Sequence, residues 1–338
     1  MNFKELEKNA REKFNGSCRV CKVCNGVACA GEVPGMGGKG SGSAFTENYK
    51  SLEKVKINMR VVHNVCNPDT SIELFGQKMD APIFAAPITG TTLNMGGQIS
   101  EREYIEPVVK GCIDSGVYAM VGDTAIDEFL IENLKVLKEN NGKGIVFIKP
   151  WENHDIINKI KLAEEAGAIA VGVDVDACGL VTLSMHGKKV VPKDVNAIKE
   201  LKKSTNLPFI LKGIMTVEDA LMAVEAGVDA IVVSNHGGRV LDCTPGAADV
   251  LPNISKAVKG KITILVDGGI RSGVDVLKMI GLGADAVLIG RPFVTASFGG
   301  QTEGVKSYVE KLKNELSSTM ILTGCQSIDD IDEKVIYK

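Results

Sequence analysis

The stretch Ser234-Asn235-His236-Gly237-Gly238-Arg239, followed by Val240, Leu241 and Asp242, sets a base, two glycines and a cation side by side. Histidine is the side chain most easily poised to take a proton near neutral pH, and Arg239, three positions on, can grip a carboxylate through two parallel hydrogen bonds. The glycines leave room for a substrate against the backbone. Two other stretches suit a phosphate: Asp267-Gly268-Gly269-Ile270-Arg271-Ser272-Gly273 and Gly290-Arg291-Pro292-Phe293. Glycines let the backbone approach an anion, the N–H groups opening the next helix point at it, and Arg271 and Arg291 add charge. Neither GxxxxGK(S/T) nor GxGxxG occurs as a strand-to-helix turn, which leaves a P-loop and a Rossmann nicotinamide site unsupported.

A third set is Cys18, Cys21, Cys24 and Cys29, spaced C-x2-C-x2-C-x4-C and followed by a glycine-rich run from Gly31 to Gly42. Packing explains four thiols in so glycine-rich a segment poorly. Overlapping C-x2-C pairs suit a 4Fe-4S cluster. Zinc, whose ligand pairs are ordinarily separated by a longer excursion, and thiols without metal are the alternatives. Cys178 and Cys243 read as small buried thiols.

These groups need a scaffold, and a recurring phrase supplies it: a helix end, a glycine, then a short aliphatic run. It appears around Gly116, Gly167, Gly227 and Gly283, at the spacing of a double β-α unit. With the runs between them, eight strands follow in order: Pro82–Ala86, Val117–Val121, Gly144–Ile148, Ala168–Asp174, Pro208–Lys212, Asp229–Ser234, Ile262–Asp267 and Asp285–Gly290. Most are continuous apolar runs, as strands buried on both faces are. The segments NHDIINKIKLAEEAG and TVEDALMAVEAG carry helical periodicity, the second opening on Thr216 with Asp219 three residues on, a capping-box arrangement. The pattern predicts a (β/α)8 barrel over residues 81–338 behind an N-terminal extension, residues 1–80; an open doubly wound sheet is the alternative. Active sites of this barrel lie at the carboxyl ends of the strands. Here those ends carry Thr89, Gly122, Lys149, Asp174, Lys212, Ser234 with His236, Asp267 with Arg271, and Gly290 with Arg291.

Composition narrows the partner. The chain has 338 residues, 44% hydrophobic, with 39 Lys+Arg against 42 Asp+Glu, so neither a nucleic-acid groove nor a polybasic membrane patch is expected. No run of apolar residues is long enough for a membrane span. Nine cysteines, an odd number, argue against a secreted disulfide framework, and the first residues lack the apolar core of a signal peptide. A cytoplasmic protein acting on a small molecule is expected.

From about residue 48 to residue 315 the sequence resembles the FMN-dependent 2-hydroxy-acid oxidases and dehydrogenases, the group of glycolate oxidase, lactate oxidase and the flavin-linked lactate dehydrogenases. The resemblance rests on Ser234–Asp242, on LKGIMTVEDA at Leu211–Ala220, and on the continuous stretch from Asp267 to Phe293. The last is shared with other FMN and nucleotide-phosphate barrels, including inosine-monophosphate dehydrogenases; the histidine stretch narrows the choice. The resemblance implies oxidation of a small 2-hydroxy acid, lactate- or glycolate-like, with His236 as the base and flavin N5 as hydride acceptor. By the same resemblance Asp174 would hold the imidazole and Arg239 the substrate carboxylate, while Lys212 would stand at the N1/C2 edge of the flavin. The FMN phosphate would lie on Gly269, Arg271, Gly290 and Arg291, with Ser234 and Asp267 also on the cofactor. The turn Ala86-Pro87-Ile88-Thr89 would back the ring. A homo-oligomer, commonly a tetramer, is implied too.

The sequence departs from the family at three places. The Gln-x-Tyr that closes strand three in the family reads Phe147-Ile148-Lys149 here, no tyrosine stands near Pro34–Ser43, and an arginine expected after Asp174 is missing. Lys149 could replace one polar substrate contact, and His186 or Lys188 the arginine. The type 2 isopentenyl-diphosphate isomerase is an alternative, because Thr89-Gly90-Thr91-Thr92 and Asn94-Met95-Gly96-Gly97 are faintly similar to its ring-side turn. A non-catalytic flavin or iron–sulfur protein that passes electrons or senses redox state is another. An iron–sulfur cluster would pass electrons singly to an unknown acceptor other than oxygen.

Overall fold

The aliphatic runs close on one another. A computed structural model describes residues 3–337, in which a short antiparallel hairpin of β1 (Ile72–Leu74) and β2 (Gln77–Met79) precedes the main sheet. The sheet comprises β3 (Ile83–Ala85), β4 (Tyr118–Gly122), β5 (Gly144–Ile148), β6 (Ala170–Asp174), β7 (Phe209–Ile214), β8 (Ala230–Val233), β9 (Thr263–Val266) and β10 (Ala286–Ile289). All pair in parallel, and β10 bonds to both β9 and β3, so the barrel has no edge and the open-sheet alternative falls away. Six of the expected runs contain their strands; β4 runs one residue past its run, to Gly122, and β7 extends to Ile214 across a register shift between Lys212 and Ile214.

Helices return between the strands as the periodicity requires. The helix Val217–Ala226 starts at Thr216, whose hydroxyl accepts from Asp219 N at 3.1 Å, and ends at Gly227 in the left-handed region, φ 76°. The other glycines of the recurring phrase, Gly116, Gly167 and Gly283, also have positive φ, which explains the repeat: each reverses a helix into the next strand.

The extension is built into the barrel. Helix Phe3–Lys13 buries Leu6 and Ala10, and Phe14 stacks on Phe298 of the last helix at 4.5 Å. Residues Ala10, Phe14, Val20 and Met36 belong to the same apolar core as the strands. Helix Ser43–Lys54 then lies across the carboxyl ends of β8 and β9, where Asn48 Nδ2 donates to Asn235 Oδ1 at 2.6 Å, both side chains buried. Residues 1 and 2 of the expected extension lie outside the described residues. All nine cysteines are free thiols; Cys243 is exposed and Cys178 half-buried, so neither is the buried thiol its surroundings in sequence suggested. No described helix is long and apolar enough to cross a membrane.

Candidate active site

A broad depression lies at the amino-terminal end of the strands, among Lys256, Lys259, Lys261 and Asp285, away from every residue singled out for chemistry. The carboxyl-end cavity is the one those residues share. His236, Lys212, Lys149, Arg239, Asp267, Gly269, Arg271, Gly290, Arg291 and the turn Ala86–Thr89 all line it. Asp174 and Ser234 stand behind it, 1% and 0% exposed.

His236, Gly237 and Gly238 have consecutive left-handed backbones, φ 57°, 62° and 76°. For a histidine that conformation costs about 1 kcal/mol or more, and the loop is over-determined enough to hold it. Ser234 Oγ accepts from His236 N at 3.0 Å. Asn235 accepts from Gly238 N and donates to Ala44 O, Thr244 Oγ1 and Pro245 O. Gly237 lines the cavity, where a Cβ would come within 2.8 Å of Arg291 Nη1, while Gly238 makes room for protein, a Cβ there standing 2.3 Å from Phe45 N.

The imidazole partner is not the expected one. His236 Nδ1 lies 3.0 and 3.2 Å from the carboxylate oxygens of Asp176, which the 3-10 turn Val175–Gly179 presents two residues beyond Asp174. Lys212 Nζ is 3.4 Å from the same nitrogen. The Asp176 carboxylate lies closer to this nitrogen than the Lys212 ammonium does, which favours the tautomer with its proton on Nδ1 and the lone pair on Nε2. Gly213 makes this possible. At φ 106°, its missing Cβ would sit 2.4 Å from Asp176 Cγ, so only glycine admits the carboxylate there.

Asp174 is instead the centre of a buried charge row. Lys149 Nζ donates to its Oδ2, and Lys212 Nζ stands 3.2 Å from Oδ1 and 3.9 Å from Asp267 Oδ2. Burial alone would raise the Asp174 carboxyl, but Lys149, Lys212 and then His236 hold it well below the usual carboxylate range. Burial would likewise lower Lys212, and Asp174, Asp176 and Asp267 overcome it, so the lysine is held charged. Lys149 lines the cavity, as the expected substrate contact would, and its ammonium also pairs with Asp174. Asp267 goes the other way: burial pushes its carboxyl up, only partly opposed by Lys212 and a hydrogen bond from Ser234. Its Oδ1 is buried with no hydrogen-bond partner.

Three arginines converge on the cavity from the phosphate side and from the histidine loop. Arg239 donates to Gly35 O at 2.6 Å, Gly37 O at 3.1 Å and Asn94 Oδ1 at 2.8 Å. Burial, reinforced by the like charge of Arg291, pushes its guanidinium down to about 9, still cationic at neutral pH. Arg291 donates to Met36 O, Gly37 O and Gly237 O and lies 3.7 Å over the Phe45 ring. Arg271 donates to Ile270 O and to Cys24 O. The glycine-rich extension therefore engages every one of these guanidiniums, a role no motif announced. The helix after β9 also departs from expectation. Ser272 and Asp275 cap it, and Glu315 accepts from Gly273 N, so its first N–H groups are satisfied internally. The helix Arg291–Thr323, starting at Gly290 with no side-chain cap, keeps an open amino end.

The residues fit FMN. Asp267 Oδ1 is an orphaned acceptor on the cavity wall, suited to a polyhydroxylated chain. Lys212 supplies a fixed cation, the Ala86–Thr89 turn an apolar wall, and Arg271, Arg291 and the open helix end a phosphate-binding corner. The chain matches the family model described as FMN-dependent dehydrogenase over residues 35–182 and 182–338. It belongs to that family. As an FMN-dependent dehydrogenase it is 34% identical to a peroxisomal (S)-2-hydroxyacid oxidase of Arabidopsis thaliana, over 87% of this chain and 88% of the relative. It is 31% identical to an L-lactate oxidase of Lacticaseibacillus rhamnosus, over 88% and 86%. The crystal structure of a mandelate oxidase superposes with a TM-score of 0.79 at 27% identity, covering 99% of this chain and 97% of that one.

The isomerase alternative is not favoured for this dehydrogenase. The turn that suggested it holds protein: Asn94 accepts from Arg239, and a Cβ on Gly96 would meet Phe14 O at 2.3 Å. Reading by motif missed Asp176, although it stands on the same rim two positions from Asp174. It also missed Glu101, 4% exposed, which accepts from Thr89 Oγ1, Gly90 N and Thr91 N and so fixes the ring-side turn. Asp123, fully buried, accepts from Trp151 Nε1 at 2.6 Å, Lys159 Nζ at 2.8 Å and Lys149 N at 3.2 Å, and so anchors the end of β5.

Proposed function

We propose that this FMN-dependent dehydrogenase oxidises a small 2-hydroxy carboxylate to the 2-oxo acid. The observation that carries the reading is the His236 ring, its Nδ1 held against Asp176, in a cavity that Arg239 and Lys212 also line. FMN, when bound, supplies the two-electron acceptor for the hydride leaving the substrate's α-carbon. Everything else falls to the chain. His236 takes the hydroxyl proton at Nε2, and Asp176 stabilises the imidazolium that results. Lys212, held charged between Asp174 and Asp267, provides positive potential for the developing anionic charge. Arg239 uses three of its five N–H groups on Gly35, Gly37 and Asn94, which orients the guanidinium and leaves donors for a substrate carboxylate. Lys149, where relatives of the resembling group carry a tyrosine, ties the substrate side of the cavity to Asp174, so a small side chain such as that of lactate or glycolate is the default.

The reading extends to the electron acceptor: a one-electron carrier rather than dioxygen, reached through the cysteine segment beside Arg271. A reducing, cytoplasmic setting suits nine unpaired thiols, and a tetramer is the assembly the family resemblance implies. Anaerobic addition of 2-hydroxy acids to the yellow protein tests the function. At least one should bleach the flavin absorbance, and His236→Ala should keep bound FMN while losing that response. Bleaching by no hydroxy acid, with FMN bound, would favour an electron-passing or sensing flavoprotein instead.

A further inference from the structure

The proton and hydride steps use none of Cys18, Cys21, Cys24 and Cys29, yet the fold spends much organisation on them. Between Ser17 and Met36 the chain has no helix or ladder strand, and its ends are pinned together. Met36 N donates to Ser17 O at 3.2 Å, and Arg19 forms a two-armed ion pair with Glu32 at 2.5 and 2.6 Å, next to Cys18 at one end and just beyond Cys29 at the other. Inside this closure Val20 adopts φ 46°, a conformation a β-branched residue avoids; its N–H donates to Cys18 Sγ at 3.4 Å and Arg11 holds its carbonyl. Gly26 packs flat on Phe45, where a Cβ would stand 2.6 Å from the ring. This closure keeps the four thiols within one short irregular segment, Cys18, Cys24 and Cys29 half-buried and Cys21 exposed.

The surroundings are cationic. Arg271 Nη2 donates to Cys24 O at 3.0 Å and stands 3.6 Å from Cys24 Sγ. Arg291 donates to Met36 O at the end of the same segment, and Arg19 stands between Cys18 and Cys21 in the chain. Guanidiniums and N–H···S contacts of this kind suit a multiply anionic group held by thiolates. Among the described residues no three of these sulfurs lie within 4.8 Å of one another, as the ligands of one tetrahedral ion would; the only such trio is Asp174, Asp176 and His236, which two lysines already occupy. Thiolates on separate corners of a cubane stand farther apart than ligands sharing one ion.

We propose that Cys18, Cys21, Cys24 and Cys29 bind a 4Fe-4S cluster that carries electrons from the flavin site to the surface. Arg271 joins the two centres, since it lines the cavity and touches Cys24, and Cys21 is exposed, so the cluster has both an entry and an exit. The electron-transfer role, unlike the cluster itself, rests on the proposed hydroxy-acid oxidation. Its balance is one 2-hydroxy acid and two oxidised one-electron carriers giving one 2-oxo acid, two reduced carriers and two protons, with the cluster alternating between its 2+ and 1+ states.

Anaerobic purification or reconstitution with ferrous iron and sulfide, followed by metal, acid-labile sulfide and FMN analysis, tests the site. The expected content is about four iron and four sulfide per chain, with a paramagnetic resonance signal on dithionite reduction. Cys21→Ser should lose most of the iron while keeping FMN, and the exposed Cys66→Ser should keep both. Stoichiometric zinc without sulfide, no metal after reconstitution, or unchanged iron in Cys21→Ser together with every other single Cys→Ser of the four, overturns the proposal. Flavin bleaching is read separately. Iron without bleaching keeps the cluster and removes the oxidation; bleaching without iron does the reverse.

Discussion

His236 and Asp176 form the ion-pair geometry of the site, Nδ1 to Oδ1 at 3.0 Å, while Asp174, two residues earlier, serves two lysines. The two carboxylates thus do different work, and substitution separates them. Asp176→Asn keeps a hydrogen-bonding partner but removes the charge that stabilises the imidazolium. Flavin reduction by the hydroxy acid should slow by about 10²–10⁴-fold with FMN still bound. Asp174→Asn leaves two buried ammonium groups undercompensated and should cost about 3–5 kcal/mol of stability. Stopped-flow reduction rates and urea denaturation of both variants check this; a purely kinetic Asp174→Asn with an unperturbed Asp176→Asn would reverse the assignment.

The pH profile of stability follows from the opposite shifts of Asp267 and Asp174. Burial raises Asp267, so the fold binds its proton more tightly than the unfolded chain does. That contribution is complete below the unfolded value of about 3.9 and is lost as pH rises through the higher folded value. Asp174, held down by Lys149 and Lys212 against its burial, contributes stability above the unfolded value and loses it as pH falls toward the folded one. The flavin-free protein should therefore lose stability on the alkaline side of pH 4 by up to about 1.4 kcal/mol per pH unit for each raised carboxyl still titrating. Asp267→Asn should flatten that slope, and Glu101, also raised by burial, should keep part of it. Urea titrations between pH 4 and 8 read the slope; an identical slope in the variant rules the account out.

Arg239 ties chemistry to the extension. Because its donors end on Gly35, Gly37 and Asn94, Arg239→Lys cannot reproduce the fork and should both raise KM and loosen residues 34–42. Amide exchange in that segment should quicken at least about tenfold, and Asn94→Ala, which removes one of three contacts, should fall between. Unchanged exchange in Arg239→Lys would mean the guanidinium does not hold the segment.

The barrel and its rim were legible because buried parallel strands leave a clear trace: continuous apolar runs such as Ile145–Ile148 and Ile231–Val233, each preceded by a glycine turn and closed by a polar residue. Asp176 was not, since Asp174-Val175-Asp176 offers two carboxylates and the choice depends on a 3-10 turn and on the missing Cβ of Gly213, 37 residues on in another unit. The arginines' destinations were hidden for a different reason. Apart from Asn94 Oδ1 and a contact to Cys24 Sγ, their acceptors are backbone carbonyls, of Cys24 and residues 35–37 in the extension and of Gly237 and Ile270, which any sequence possesses and no motif marks.

Gly238 is where extension and site are locked. Its carbonyl accepts from Lys39 N at 2.8 Å, and its α-carbon approaches the start of helix Ser43–Lys54 so closely that a Cβ would lie 2.3 Å from Phe45 N and 2.7 Å from Phe45 Cα. Backbone atoms cannot swing aside as a side chain does, so Gly238→Ala must push the helix away. That would strain the Asn48–Asn235 hydrogen bond and lift Phe45 from Arg291, reaching the phosphate corner as well as the histidine loop. The expected loss exceeds about 2 kcal/mol and includes most of the FMN affinity. Gly227→Ala is the matched control: φ is again 76°, but nothing lies within 4 Å of the new Cβ, so only the backbone cost of about 1 kcal/mol applies and FMN stays bound. Equal losses in the two variants would show that conformational strain, rather than the close approach to Phe45, is what makes Gly238 a glycine.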